Sequence, residues 1–290
     1  MAIKKSSIKA QIKAELSQGI GDVWFRFLIP VAIGMLYSGE FFSNIVRWGK
    51  YYNTVLQASF GDCLVYLFQG MKEYIPSPNT PFEVPIPFLL MNLVLAIFIG
   101  NYAVKDIRGF GKLKLVRCRR RGEWWFCKCL WNVVTVLLYY AALYTGVGLM
   151  CLFNCRMLDK GALFGTHQNI LQRFLSTDTP QLLGNKELLI MTVVLPLLTA
   201  IAMSLFQMAM EFLVSPAISF VVIIAVYTFS AYYMSWFFPG NFMMVYRYAQ
   251  VNSGGIHLGL SIFVDALIAV AAVIVGYWYF RKYDIYGEVK

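Results

Sequence analysis

Charge is what this sequence has least of. Only 14% of its 290 residues are Asp, Glu, Lys or Arg, while 59% are hydrophobic, and a soluble domain averages about one quarter charged. That balance excludes a chain wetted on all sides. Histidine is almost missing. His167 and His257 stand alone, which removes the H-E-x-x-H chemistry of a membrane metalloprotease. The phosphate-cradling spacing G-x-x-x-x-G-K-[ST] is missing too. Gly109-Phe110-Gly111-Lys112 lacks the first glycine at the right distance and the following Ser or Thr. ATP hydrolysis by this chain alone is therefore not expected. Cysteine offers no framework. Cys118, Cys127 and Cys129 fall in one basic segment without the further Cys or His that a metal site would want. Cys151 and Cys155 are one helical turn apart, so a disulfide between them is open but not favoured. No metal is expected.

What is present comes in long apolar blocks, at about 25–43, 86–104, 130–153, 188–213, 216–237 and 258–280. Each reaches the roughly 20 residues that carry a helix across about 30 Å of hydrocarbon. None alternates in polarity as the strands of a membrane barrel do. The expected fold is an all-α integral membrane protein, one domain over 1–290 with six transmembrane helices. With both termini in the cytoplasm, about two thirds of the 25 Lys and Arg residues fall inside, which sets the orientation. The first block starts late, is too long for a signal peptide, and has no small-residue cleavage site behind it. The net charge of +10 then reflects this bias and anionic headgroups rather than nucleic acid.

The segments between blocks differ in kind. In 1–24, Ile8, Ile12, Leu16 and Ile20 recur every four residues beside Lys5, Lys9 and Lys13, the pattern of an amphipathic helix on the inner surface. Trp24 anchors the first span. In the first outside loop, 45–69 can pack as a short helix on the membrane, and Pro76, Pro78, Pro81, Pro85 and Pro87 then lead in extended. A second, more polar outside loop carries Asp159, His167, Asp178 and Pro180 without catalytic spacing. Val214-Ser215-Pro216 joins blocks four and five almost without a loop. The stretch 238–257, semi-apolar and glycine-rich, can dip back into the outer leaflet only if protein surrounds it.

The segment after block two, 105–128, is short and strongly basic, with Phe110, Leu113, Leu115 and Val116 among its charges. Trp124-Trp125 is expected in the interfacial belt where the third span begins. Such a segment can lie on anionic lipid or dock into a groove of a cytoplasmic partner. A surface N-terminal helix, six spans, a basic amphipathic segment between spans two and three, and a tight hairpin of spans four and five resemble the permease subunits of the second ABC exporter type. The run 117–128, basic residues followed by Trp-Trp and Cys-Lys-Cys, is similar to the Gram-positive branch linked to bacteriocin and antimicrobial-peptide export or self-protection. The resemblance implies a coupling helix at Arg108, Phe110, Lys112, Leu113, Lys114, Leu115, Val116, Arg117, Arg119, Arg120 and Arg121. It also implies a separate ABC ATPase subunit holding ATP and Mg, a second identical or related permease, an amphipathic peptide or hydrophobic antibiotic as cargo, and the cytoplasmic membrane of a Gram-positive bacterium.

Ionisable groups at membrane depth cost several kcal/mol and tend to face a bundle interior or a wet cavity. Glu40, Glu211 and Asp265 are such groups. Ser204, Gln207 and Glu211 share one helix face. Tyr139, Tyr144 and Tyr232 can join these residues along an amphipathic translocation path, in which Glu40 and Asp265 would favour cationic peptides. The competing reading leaves Glu211 at the inner interface and pairs Glu40 with Arg47 or Arg247, with the tyrosines simply packing. A stand-alone immunity or scaffold protein and an intramembrane enzyme are the rival functions; an adjacent ATPase reading frame separates transport from both.

Overall fold

The computed structural model describes residues 8–21, 24–53, 56–76, 83–109, 121–159, 184–252 and 254–282. Among them the regular elements are helical. In chain order they are α1 (Ile8–Gly21), α2 (Leu28–Tyr52, entered through a 3-10 turn at Trp24–Phe27), α3 (Phe60–Phe68), α4 (Ile86–Ile99) and α5 (Tyr102–Arg108). There follow α6 (Arg121–Phe153), α7 (Asn185–Leu213), α8 (Pro216–Tyr232) and α9 (Leu258–Lys282).

Five of the described segments are long and apolar enough to cross a membrane: Trp24–Tyr52, Ile86–Ile107, Arg121–Phe153, Asn185–Leu213 and Leu258–Lys282. The block at 216–237 gives a shorter helix. α8 stops at Tyr232, so its 17 residues span about 25 Å at 1.5 Å per residue. The reason lies beyond its end. The buried Asn241 amide donates to the carbonyls of Tyr233 and Ser235 (3.0 Å each) and Phe238 (3.2 Å), which supplies the partners that a continuing helix would have provided.

Two parallel pairs make the frame, α2 along α6 and α7 along α9. Glycines set the closeness of the first. A Cβ on Gly34 would run into the Leu143 carbonyl, and one on Gly146 into the Val31 carbonyl; small residues let backbones meet where no water drives association. α7 contains a π-helical turn, Ile190–Val194, just before Pro196. Proline has no N–H, so the carbonyl four residues back, Thr192, loses its helical partner. The Tyr144 hydroxyl donates to it at 3.0 Å. The tight 213–216 hairpin forms as expected, with the Ser215 hydroxyl capping α8 at Ile218 N, 3.3 Å away.

Three expectations change. α6 starts at Arg121 rather than 130, and Trp124 and Trp125 are buried in the bundle instead of lying in an interfacial belt. α3 does not lie on a membrane surface. A capping box starts it (Asp62 N to Ser59 Oγ, 3.0 Å; Ser59 N to Asp62 Oδ2, 2.9 Å), and nearly all of it is buried against α2, α4 and α6. The second apolar block breaks after α4 at Gly100-Asn101, where Asn101 takes φ +67°, and restarts as α5. The turns at 239–248 are enclosed, with Phe242, Met244, Val245 and Tyr248 at zero exposure, so protein does surround this stretch.

Candidate functional site

The ends of α1, α5, α7 and α9 and the start of α6 meet at one end of the bundle, called proximal here. The other end, distal, carries α3, the entry to α4 and the 239–248 turns. The expected coupling residues Phe110, Lys112, Leu113, Lys114, Leu115, Val116, Arg117, Arg119 and Arg120 lie outside the described residues, as does the Arg108 side chain. What the structure describes is how this segment is held on each side.

The holding group is Lys128. On α6 it is fully buried, and a lone ammonium there would cost several kcal/mol. Two carboxylates from other helices answer it. Its Nζ ion-pairs with Glu15 Oε1 of α1 and lies 2.8 Å from Asp106 Oδ2 of α5. The Tyr102 hydroxyl donates to the same Glu15 oxygen at 2.8 Å. Rings close the sides. Nζ lies 4.4 Å from the centroid of Tyr102 and 5.1 Å from that of Trp124, within cation–π range, and Tyr102 stacks on Trp131 at 3.6 Å. Gly19 of α1 passes so close to Trp131 and Tyr102 that a Cβ would not fit. The N-terminal helix thus docks on the bundle through Glu15 and Gly19, the face adjoining its apolar stripe.

Beside this cluster, Arg121 closes the end of α9 by donating to the carbonyls of Arg281 (2.7 Å) and Phe280 (3.4 Å), where a cation also complements the helix dipole. Trp124 stacks on Phe280 at 4.7 Å, and the Trp125 indole donates to the Val273 carbonyl at 3.1 Å over Gly276, where a Cβ would strike its ring. Asp106 near the start of the basic segment and Lys128 at its end are therefore one contact, and both sides of the segment are braced against α1, α7 and α9.

The residues expected along a translocation path do not converge. Glu211 Oε1 accepts from Asn101 N at 2.8 Å, and Gln207 Nε2 donates to the Ala96 carbonyl at 2.9 Å. Both stitch the break between α4 and α5. Ser204 Oγ donates to Asn132 at 2.6 Å. Ser204 and Gln207 line a void of about 10 Å³, room for about one water. Asp265 accepts from Thr199 at 2.6 Å, Tyr139 donates to the Met91 carbonyl at 2.8 Å, and Tyr144 is committed to Thr192.

Glu40 differs. It lines a distal cavity of about 360 Å³ together with Tyr37, Tyr66, Gln69, Glu83 and Phe88. Tyr232 reaches its margin, its hydroxyl 3.4 Å from the Glu83 carbonyl. Two carboxylates and several rings, with no Lys or Arg among the described lining residues, suit a positively charged amphipathic group. Burial, and after it the Glu40 carboxylate, push the Tyr66 hydroxyl up to about 12. Arg247 does not pair with Glu40; it donates to the Ala231 carbonyl at 2.7 Å and the Lys72 carbonyl at 3.4 Å.

The long apolar helices, the buried glycine crossing and the enclosed turns define a multi-pass helical membrane protein. Within that class, the chain belongs to the family described as "Protein of unknown function (DUF2705)", whose profile matches residues 59–286. No curated protein and no solved structure matches it.

Proposed function

We propose that this chain is the membrane-spanning permease subunit of an ATP-driven ABC exporter, energised by a separate ATPase that binds ATP and Mg. The observation that carries the reading is the Glu15–Lys128–Asp106 cluster. It braces a strongly basic, amphipathic segment on both sides, as a segment must be if a partner is to push on it and move the helices behind it. A loop that only rested on lipid would need no such support.

In this reading there are six spans. α8 supplies the fifth, lengthened by 233–238, where Trp236 and Phe237 are exposed as interfacial anchors are. Both termini lie in the cytoplasm of a Gram-positive cell, following the Lys and Arg bias. A second permease, identical or related, completes the path. Much of α9 faces outward, with Phe263, Leu267, Val270 and Ile274 exposed, toward lipid or that second copy. The cargo is an amphipathic peptide or hydrophobic antibiotic, and the acidic lining of the distal cavity favours a cationic one. The test is co-expression with the ATPase of the neighbouring reading frame. A co-purified complex that hydrolyses ATP, stimulated by a cationic lantibiotic-like peptide, is the expected result. A permease that purifies without any ATPase overturns the reading and favours a stand-alone immunity protein.

A further inference from the structure

Cys63 and Cys151 stand 88 positions apart on α3 and near the distal end of α6, yet their sulfurs lie 3.6 Å from each other. Both are buried. The elements that carry them are fixed on either side of the pair. Ala58 N donates to the Met157 carbonyl and Asp159 N to the Ala58 carbonyl, at 2.9 Å each, tying the entry of α3 to the chain just past α6. The Ser59–Asp62 capping box sits directly before Cys63. At the far end of α3, Phe68 stacks on Tyr140 of α6 with ring planes 9° apart. Two thiols held in contact on elements pinned at both ends need only a small side-chain rotation to reach bonding distance, about 2.05 Å. Cys155, the partner that the sequence spacing left open for Cys151, is exposed and outside this contact.

We propose that Cys63 and Cys151 are a redox-closable pair, a modification site at which disulfide exchange locks α3 onto α6. The co-reactant is a disulfide donor, either a thiol oxidoreductase in its oxidised form or a small-molecule disulfide. One cysteine thiolate attacks a donor sulfur and expels the first donor thiol, leaving a mixed disulfide. The second cysteine thiolate attacks the protein sulfur of that mixed disulfide and expels the second donor thiol. Two protein thiols are oxidised to one cystine, one donor disulfide is reduced to two thiols, and the two protons pass to those thiols. Exchange depends on access, so the first attack occurs in brief local opening of the distal end. Closing the bond fixes Tyr66 and Leu67, two wall residues of the Glu40 cavity. None of this depends on the transport reading.

The test uses full-length protein in its membranes. It is treated with dithiodipyridine, denatured in N-ethylmaleimide, digested and read by mass spectrometry. The expected product is a linked peptide holding Cys63 and Cys151, formed equally in a Cys155→Ser variant, with two thiopyridones released per linked pair. The treated protein also unfolds at a higher temperature, and reductant reverses the shift. In Cys63→Ala neither the link nor the shift occurs. Recovery of Cys63 and Cys151 each as separate N-ethylmaleimide or pyridyl adducts, or of a Cys151–Cys155 link, overturns the proposal without reliance on any variant's folding.

Discussion

The two ends of the bundle are held by different physics. At the proximal end a buried cation is shared by two carboxylates from two other helices and boxed by aromatic rings. At the distal end most of the holding is done by neutral groups and single bonds to backbone: the Asn241 amide on three carbonyls, the Ser59–Asp62 cap, the Tyr144 bond to the carbonyl freed by Pro196, and a pair of apolar thiols, with the buried Arg247 on the carbonyls of Ala231 and Lys72. A buried charge cluster fails all at once when one member is removed, because the partners left behind are charged. Neutral bonds fail singly and by less. Charge also fixes register, since Lys128 is satisfied only where both acids reach it. That suits the end at which the chain enters and leaves the basic segment. The distal end needs an enclosed cap more than a directional latch.

The largest effect is therefore expected at Lys128. Lys128→Met strands Glu15 and Asp106 and should cost about 3–5 kcal/mol, seen as a loss of folded protein or a large fall in unfolding temperature in detergent. Adding Glu15→Gln and Asp106→Asn to it should recover most of the loss, which a purely steric account of Lys128 does not predict. Next is Gly146→Val, at the crossing that belongs to neither end. Its added carbons meet the Val31 carbonyl, and overpacking of this kind costs about 1–3 kcal/mol, measured the same way.

Asn241→Ala comes third. Loss of a buried amide that serves three carbonyls should cost about 1–3 kcal/mol, but locally, so hydrogen exchange should rise around 233–243 while the Lys128 cluster stays protected. Comparable exchange at both ends would erase the contrast between them. The smallest effect is at the cavity. Glu40→Gln removes the charge that helps raise Tyr66, so tyrosinate should appear at lower pH than about 12. It should still appear above the ordinary range near 10, since burial is the larger cause. Absorbance at the tyrosinate band during an alkaline titration reads this out, with Tyr66→Phe identifying the residue.

The sequence carried the long apolar helices well, because hydropathy over 20 residues is a strong signal, and the 213–216 hairpin, because Ser-Pro begins a helix with a cap. It carried the proximal cluster poorly. Arg121, Glu123 and Lys128 interrupt the apolar run, which places the start of the third span late. Helical phase would have extended it, since Trp124, Lys128, Trp131 and Thr135 fall on one face and are all buried. That Lys128 finds Glu15 is a tertiary fact with no local signature. Glu211 was legible as unusual, but its task depends on the αL kink at Asn101, which a run of apolar residues conceals. The Cys63–Cys151 contact joins segments 88 residues apart, while spacing alone left only a Cys151–Cys155 pairing open, without favouring it.

The most direct test of our central proposal, that the braced basic segment couples this chain to a separate ATPase, is charge reversal inside the segment. Arg119→Glu with Arg120→Glu, co-expressed with an ABC ATPase from an adjacent reading frame, should abolish co-purification and the ATP hydrolysis of the complex while leaving this chain's own unfolding temperature unchanged. A complex that assembles and hydrolyses ATP at the unmodified rate would contradict it.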